Sequence, residues 1–450
     1  MLDHKITIST HSEGGGSLYK PTFREALAFW FKLGFISFGG PTGQIAIMHN
    51  ELVERRRWIG ETQFLHGLNF CMLLPGPEAQ QLAIYIGWLL HRTLGGLVAV
   101  ILFVLPSAIL LWFLSYVYVV YGSVPWISAV FDGLKPAVLA IVADAILRIG
   151  KRALRTPFLW SMSAAAFVAI FFFKVPFPII IFGAALLGFV LQSTPWRELV
   201  IADPKKSGAV AEQQESLLVA TPDEIHRHPL ARALRVLLVC CTLWFAPIGL
   251  AAALLGRDHT LVREGIFFSK AAMVTFGGAY AVLPYVAQQA VEHFHWLASN
   301  QMLDGLALAE TTPGPIIMVV QFVGFLGAWN HPGSLSPLLA ATWGAAITTW
   351  VTFVPCFLWI FLGAPYVERM RKHRSLSGAL TAITAAVVGV VLNLAVWFAG
   401  GVLVRDGHVS WFALIVAVMA FVAMRRFKVG VIPIVAFAAM IGLLRHAILS

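Results

Sequence analysis

Two short glycine and proline motifs, each present twice, are the residues of this chain best suited to binding a ligand. Phe38-Gly39-Gly40 returns as Phe276-Gly277-Gly278, and Pro75-Gly76-Pro77 returns as Pro313-Gly314-Pro315, both 238 residues later. Proline suits the first position of a helix, where its missing N–H group is not needed, so helices are expected to begin near Pro41, directly after the first Phe-Gly-Gly motif, and near Pro77. The free N–H groups and the positive dipole end of a helix start attract anions. The motifs therefore predict a site for a small oxyanion rather than for a cation or an apolar solute.

Polar side chains near the motifs could contact such an anion directly. Lys32 and Lys270 each lie about two helical turns before a glycine pair. A lysine within apolar sequence is a functional candidate, although it can also extend to the membrane interface from a helix end. Three glutamines near the motifs could donate hydrogen bonds to the anion or hold neighbouring helices together. The predicted substrate-binding residues are Lys32, Gly39, Gly40, Pro41, Gln44, Pro75, Gly76, Pro77, Gln80, Gln81, Lys270, Gly277, Gly278, Pro313, Gly314 and Pro315.

Two carboxylates lie beside the Pro-Gly-Pro motifs. Glu78 follows the first motif directly, and Glu310 precedes the second by three residues. A carboxylate next to an anion site repels the anion unless it is protonated, so both residues are candidates for proton coupling. The alternative for Glu78 is that it caps the start of a helix.

The composition indicates a protein that crosses the membrane several times. The chain has 450 residues, of which 59% are hydrophobic and only 12% charged, with a mean hydropathy of +0.80; soluble proteins carry roughly 25% charged residues. The net charge of +10 comes from basic residues in short loops, which set orientation in the membrane and do not indicate nucleic-acid binding. Neither an ATP-binding phosphate loop nor a metal or catalytic motif is present, and no cofactor is expected.

The two pairs of motifs belong to a duplicated unit. Between Lys32 and Pro77, 14 of 46 positions are identical to the residue 238 positions later, without a gap. We expect a loose tail over residues 1–20 rather than a signal peptide, since this stretch lacks an apolar core. The predicted organisation continues with a first repeat over 21–192, a polar cytoplasmic linker over 193–229, an unpaired transmembrane helix over 230–255 and a second repeat over 263–450.

The loops between the apolar segments predict that the two repeats have opposite orientations. The loop with Arg55, Arg56 and Arg57 corresponds to residues 288–296, which contain no Lys or Arg, whereas the uncharged loop 121–126 corresponds to the basic loop 369–374. Such an exchange of basic loops is typical of inverted-topology repeats. The predicted fold is an all-α membrane protein with nine crossings and four re-entrant hairpins at the glycine and proline motifs. We expect a cytoplasmic N-terminus and an outside C-terminus.

The motifs resemble those of the bacterial chromate transporter family. The first half is similar to the first domain of that family in the run from Phe38 to Ala46, in Trp58 and in the run from Leu73 to Ala83, and the second half resembles the partner domain. The resemblance implies an inner-membrane protein that expels chromate from the cytoplasm and so gives chromate resistance. It also implies sulfate, a tetrahedral dianion of the same shape, as a competitor or exchange partner.

The second half departs from the first at positions near the motifs. Ala279 replaces Pro41, Val282 replaces Gln44 and Ile316 replaces Glu78. We therefore expect the first half to supply more of the polar contacts.

Other functions remain open at this point. The same fold could transport sulfate or another small oxyanion, and a membrane-embedded enzyme or sensor is a third class. That third class needs a catalytic constellation or a recognisable soluble domain, and the sequence contains neither. The expected partners are the oxyanion and the lipid bilayer, without nucleic acid, and a homodimer is left open.

Overall fold

The computed structural model describes residues 21–38, 40–192, 194, 199, 229–366, 375–405 and 407–449. The predicted tail over 1–20, most of the linker 193–229, the basic loop 369–374 and Gly39 lie outside the described residues. The helices of the first half are α1 (Phe23–Ile36), α2 (Gly40–His49), α3 (Glu61–Met72), α4 (Glu78–Tyr121), α5 (Pro125–Ala153), α6 (Pro157–Phe171) and α7 (Phe177–Gln192).

The second half repeats this order of helices after one additional helix, α8 (Pro229–Leu255). Its helices are α9 (Thr260–Met273), α10 (Ala279–Gln288), α11 (Ser299–Thr311), α12 (Val319–Asn330), α13 (Pro337–Gly363), α14 (Ser375–Leu403), α15 (Trp411–Arg426) and α16 (Val431–Leu449). A hairpin of two short strands, β1 (Val404–Arg405) and β2 (His408–Val409), follows α14. Within the described residues the architecture is otherwise helical, which confirms the predicted all-α class.

The long helix α4 consists of two segments. His91 (φ −138°, ψ 30°) and Arg92 (φ 56°, ψ −148°) have non-helical backbone angles, so the segment 78–90 is separated from the segment 93–121. In the second half, α12 and α13 are separated at the matching place by residues 331–336. Each Pro-Gly-Pro motif therefore lies between two short helices, and a long helix follows.

Five described helices are long and apolar enough to cross a membrane: Glu78–Tyr121, Leu230–Leu255, Pro337–Gly363, Gly378–Leu403 and Val431–Ile448. The sequence predicted nine crossings. The difference of four has two causes, because α6, α7 and α15 have only 15, 16 and 16 residues, below the roughly 20 needed to span, and because α5 carries charged residues along its length.

Local backbone details recur in both halves. A π-helical turn follows α2 at Asn50–Arg55 and follows α10 at Gln289–His293. Positive φ angles occur at Arg57 and His295, 238 residues apart. The duplicated sequence thus has the same local conformation twice.

The two halves exchange their last helices. Helices α6 and α7 pack against α14 of the second half, and α15 and α16 pack against α5 of the first half. Gly133 of α5 lies so close to α16 that a Cβ there would come within 3.0 Å of the Gly442 Cα. Gly378 of α14 approaches Gly188 of α7 in the same way, with a Cβ 2.7 Å from the Gly188 carbonyl oxygen. These four glycines occupy matching positions in the repeats, so the same close helix–helix contact occurs twice. Each contact joins a helix of one half to a helix of the other, and the halves therefore share one core.

Candidate functional site

Each Pro-Gly-Pro motif forms an elbow whose geometry requires glycine. The φ angle is +131° at Gly76 and +109° at Gly314, a range that residues with a side chain rarely adopt. A Cβ at Gly76 would also lie 2.6 Å from Gln81 Nε2 and 2.7 Å from Cys356 Sγ. Both elbow glycines are buried.

The elbows of one half are hydrogen-bonded to the other half. The Gly76 N–H donates to the Thr275 carbonyl oxygen at 2.7 Å, and the Gly314 N–H donates to the Ser37 carbonyl oxygen at 2.8 Å. Ser37 and Thr275 directly precede the two Phe-Gly-Gly motifs. Each Pro-Gly-Pro elbow therefore meets the Phe-Gly-Gly segment of the opposite half, and the interrupted helices converge at one buried centre.

Several helix starts at this centre have no side-chain cap. None caps α4 at Pro77, α10 at Gly278 or the 3₁₀ turn before α12 at Pro315. The first N–H groups of a helix lack acceptors within the helix. They form a local positive potential in the protein interior.

Two of the predicted glutamines hold the elbows in place. Gln44 Nε2 donates to the Gly314 carbonyl oxygen at 2.6 Å, and Gln81 Nε2 donates to the Pro75 carbonyl oxygen at 2.8 Å. Their amide N–H groups thus bond to the backbone, as expected if these residues bind neighbouring helices together. The role of Gln44 is to fix the elbow of the opposite half.

Two other buried polar side chains at the centre have no partner in the part of the chain that the structure describes. Both amide atoms of Gln80 and the hydroxyl of Ser107 lack a hydrogen bond, and both residues are fully buried. Ser107 lies against the second elbow, 2.6 Å from the position of a Cβ on Gly314. An unpaired buried polar group is costly, so these groups are suited to accept a ligand.

Ser107 was not among the residues predicted from the sequence. It follows Pro106 directly, as Cys356 follows Pro355 in the second half, and Cys356 contacts the first elbow as Ser107 contacts the second. The matching prolines in the two repeats are the signal that would have identified both residues.

The two predicted coupling carboxylates differ in their surroundings. Glu310 is buried and accepts a hydrogen bond from the Tyr280 hydroxyl at 2.5 Å, whereas Glu78 is half-buried. Arginines of α5 act on both by electrostatic attraction, Arg148 on Glu310 and Arg152 on Glu78. Since α5 belongs to the first half and Glu310 to the second, this charge interaction also joins the halves.

A buried ion pair nearer the start of α5 also joins the two halves. Lys135 Nζ lies 3.3 Å from Asp304 Oδ1 and 3.6 Å from Asp132 Oδ1. The other oxygen of Asp304 accepts a hydrogen bond from the Tyr118 hydroxyl at 2.9 Å. Asp304 lies on α11, the helix that leads to the second elbow, and nothing in its sequence surroundings singled it out.

The structure does not bring the two predicted lysines to this centre. The side chains of Lys32 on α1 and Lys270 on α9 are exposed, on the outer faces of helices whose opposite faces are buried. Exposed lysines of this kind fit the alternative in which the side chain extends to the membrane interface.

A cavity of about 480 Å³ lies away from the elbows. Its lining comes from the turn after α6, from α10 and α11, and from α14. The polar residues in this lining are Lys174, Gln288, Glu292, Ser299 and Asn393. Among the described residues, no cluster of three His, Cys, Asp or Glu side chains could hold a metal ion.

Comparison with known proteins gives consistent similarities. The family model described as "Chromate transporter" matches residues 24–189 and 264–443. The chromate transport protein of Cupriavidus metallidurans is 28% identical over 431 residues, covering 95% of this chain and 94% of that protein. The probable chromate transport protein of Synechococcus elongatus is 29% identical over 378 residues (83% and 84%), and the chromate transport protein of Pseudomonas aeruginosa is 29% identical over 375 residues (82% and 79%). No solved structure matches.

Proposed function

The chain belongs to the chromate transporter family, as its motifs indicated, and from this membership we propose that it is a secondary transporter that exports chromate from the cytoplasm across the inner membrane. Export lowers the chromate concentration in the cell and gives resistance. Transport of sulfate or another oxyanion on the same fold is the alternative.

One observation carries the proposal. The reciprocal hydrogen bonds from Gly76 to Thr275 and from Gly314 to Ser37 bring the elbows of both halves to one buried centre. Ser107, which lies against the second elbow, and Gln80, three residues after the first elbow, carry buried polar groups without a partner among the described residues. A tetrahedral oxyanion can accept hydrogen bonds from backbone N–H groups at helix starts and from an amide and a hydroxyl at the same time.

The proposed site differs from the set of residues predicted from the sequence, because the contacts of each residue are now taken into account. It consists of the Pro-Gly-Pro elbows 75–77 and 313–315 and of residues 40–41 and 277–278 of the Phe-Gly-Gly segments, together with Gln80 and Ser107. Gln44 and Gln81 position the elbows through the bonds they donate to the backbone. Lys32 and Lys270 are left out because their side chains are exposed.

We propose that the halves are inverted repeats and that the motifs are the tips of re-entrant hairpins. Helices α3 and α11 have 12 and 13 residues, well below the roughly 20 that a crossing requires. Interrupted backbone is tolerated at membrane depth where it is buried in protein, as both Pro-Gly-Pro elbow glycines are. The exchange of basic loops between the halves supports a cytoplasmic N-terminus.

Coupling to the proton gradient or to exchange of another anion supplies the energy in this proposal. Glu78 and Glu310 are placed to respond to the anion. Glu78 directly follows the first elbow, and Glu310 lies three residues before the second. Neutralisation of either carboxylate by a proton removes its repulsion of a dianion.

Everted membrane vesicles test the proposal. Energised vesicles containing the protein are expected to accumulate labelled chromate, and cells expressing it are expected to accumulate less. Equal accumulation with and without the protein would contradict chromate export. A sulfate excess that abolishes uptake, together with faster uptake of labelled sulfate, would favour the alternative substrate.

A further inference from the structure

Glu264 is a fully buried carboxyl group that the proposed site does not use. It lies on α9 and is 0% exposed. Neither of its oxygens has a hydrogen-bond partner within the described residues. An ionisable residue inside a membrane protein is expensive to keep and is therefore a candidate for function.

Two glycines of neighbouring helices make room for this carboxyl group. A Cβ at Gly327 of α12 would lie 2.5 Å from Glu264 Oε1, and a Cβ at Gly344 of α13 would lie 3.0 Å from Oε2. The ring of Trp296 closes the notch beside Gly327, at 3.1 Å from the same Cβ position. The carboxyl group fits between α9, α12 and α13 only because both positions lack a side chain.

The first half has no such notch. The residue 238 positions before Glu264 is Ala26, and the residue 238 positions before Gly327 is Leu89. The first half thus has a methyl group where the second half has the carboxyl group, and it has leucine at both Leu89 and Leu90, the residues 238 and 237 positions before Gly327. The carboxyl group and the glycine that makes room for its Oε1 atom are therefore both particular to the second half.

The notch offers no compensating charge. Helices α12 and α13 contain no Asp, Glu, Lys, Arg or His, and no described charged side chain acts on Glu264. On α9 itself, Arg263 is exposed and pairs with Asp258 at 3.1 Å, and Lys270 is exposed. The remaining titratable or charged residues on elements packed against α9 are Arg232, Arg235, Cys240 and Cys241 of α8, Tyr280 and Tyr285 of α10, Glu292, His293 and His295 after α10, and Cys356 of α13.

We propose that Glu264 binds the proton whose movement drives transport, an inference that rests on the proposed function. The neutral carboxyl group fits the closed notch, whereas a carboxylate there has neither a cation nor a hydrogen-bond donor among the described residues to offset its burial. Loss of the proton must therefore separate α9 from α12 and α13. Glu78 and Glu310 each have an arginine nearby, so Glu264 is the carboxyl group whose charge most requires a change of structure.

The position of the notch connects this change to the elbows. Helix α9 continues into the Phe276-Gly277-Gly278 segment, and α12 begins after Pro315. Movement of α9 against α12 shifts the Phe-Gly-Gly segment of the second half relative to its Pro-Gly-Pro elbow. The proton is taken up from one side of the membrane and released on the other, with no covalent step.

Proteoliposomes containing the full chain test the proposal with Glu264→Gln, which keeps the shape of the neutral group and cannot release a proton. Chromate accumulation driven by an imposed pH gradient is expected to fall by about tenfold or more, while exchange of labelled for unlabelled chromate without a gradient stays within about twofold. The exposed neighbour Asp258→Asn is the matched control and should retain both activities. Gradient-driven accumulation at the wild-type level in Glu264→Gln, or loss of both activities together, would overturn the proposal.

Infrared spectroscopy of the purified protein separates this inference from the proposed function. The difference between wild type and Glu264→Gln is expected to contain the carbonyl band of a protonated carboxyl group at neutral pH. Glu264→Ala, which installs the residue found in the first half, should lack the same band. Absence of the band from wild type would refute proton binding at Glu264 even if chromate is transported. If the band is present but wild type moves no oxyanion, the proposed function fails and the proton site stands.

Discussion

At the scale of single residues, the candidate site is defined by which buried polar groups have partners. Gln44 and Gln81 donate to elbow carbonyl oxygens, whereas Gln80 and Ser107 donate to nothing among the described residues. The sequence places all three glutamines close to the motifs but cannot distinguish these roles. The distinction depends on which carbonyl oxygen each side chain reaches in the fold.

Substitution of the glutamines by leucine should separate ligand binding from stability. Gln80→Leu removes an unpaired polar group, so we expect thermal stability to be unchanged or raised by up to about 1 kcal/mol while chromate affinity falls. Gln44→Leu leaves the Gly314 carbonyl oxygen unpaired and should lower stability by about 1–3 kcal/mol. Thermal unfolding in detergent and chromate binding measured on the same preparations check both. A Gln80→Leu variant with wild-type affinity would remove Gln80 from the site.

Substitution of an elbow glycine should stop transport. Gly76→Ala adds a Cβ at a φ of +131° and brings it within 2.7 Å of Cys356 Sγ, at a cost of about 1–3 kcal/mol from backbone strain alone. Vesicle uptake of chromate is the measurement. Gly60→Ala is the matched control, because Gly60 has an ordinary φ of −75° and no atom within 4 Å of its Cβ position. Equal uptake by the two variants would contradict the role of the elbow.

At the scale of secondary-structure elements, α5 connects the first half to the second through its charged side chains. Lys135 pairs with Asp304 of α11, and Arg148 pairs with Asp144 at 2.8 Å while acting on Glu310. A buried ion pair is weak evidence for stability, and its attested use is to fix one of several possible arrangements. Because α11 leads directly to the second elbow, we expect the pair with Lys135 to restrict the movement of that elbow.

Exchange of the two charges tests this role of the Lys135 and Asp304 pair. Lys135→Met alone leaves Asp304 as an uncompensated buried charge and should cost about 3–5 kcal/mol of stability. The double variant Lys135→Asp with Asp304→Lys should recover most of that loss, and thermal unfolding measures both. Combination of Lys135→Met with Asp304→Asn is the neutral control. The single variants Lys135→Asp and Asp304→Lys complete the comparison. If the double exchange loses as much stability as these two single variants added together, the two charges do not interact.

At the scale of the whole molecule, the exchanged helices make the two halves interdependent. The last helices of each half pack on α5 or α14 of the other, with glycines at both crossings. A half without its partner would expose those glycine-lined surfaces. The two halves are therefore held together by helix packing as well as by the covalent linker.

A chain divided within the linker should assemble only when both parts are present. Fragments 1–192 and 229–450 are expected to accumulate in membranes and restore chromate resistance when expressed together. Each fragment alone should be degraded, because α5 or α14 then lacks its covering helices. Membrane levels and growth on chromate are the measurements. Stable accumulation of either fragment alone would contradict the exchange.

Much of this protein could be predicted from its sequence, because duplication leaves a pattern that needs no tertiary information. A constant offset of 238 residues identifies the two pairs of motifs, and helix-breaking residues in apolar sequence identify interrupted helices. The same helix-breaking residues within apolar sequence also indicate that the elbow glycines are buried. The sequence could not show that the side chains of Lys32 and Lys270 are exposed, since a sequence spacing does not fix which face of a helix is covered.

The sequence by itself determined the all-α membrane class, the repeated unit, the family and the positions of the elbows, since each of these depends on composition or on local backbone chemistry. Only the tertiary structure decided that the halves exchange helices, that Ser107 faces the second elbow and that Glu264 lies in a notch between Gly327 and Gly344. Those contacts join residues far apart in the chain, and packing between helices, which no local pattern encodes, is what brings them together.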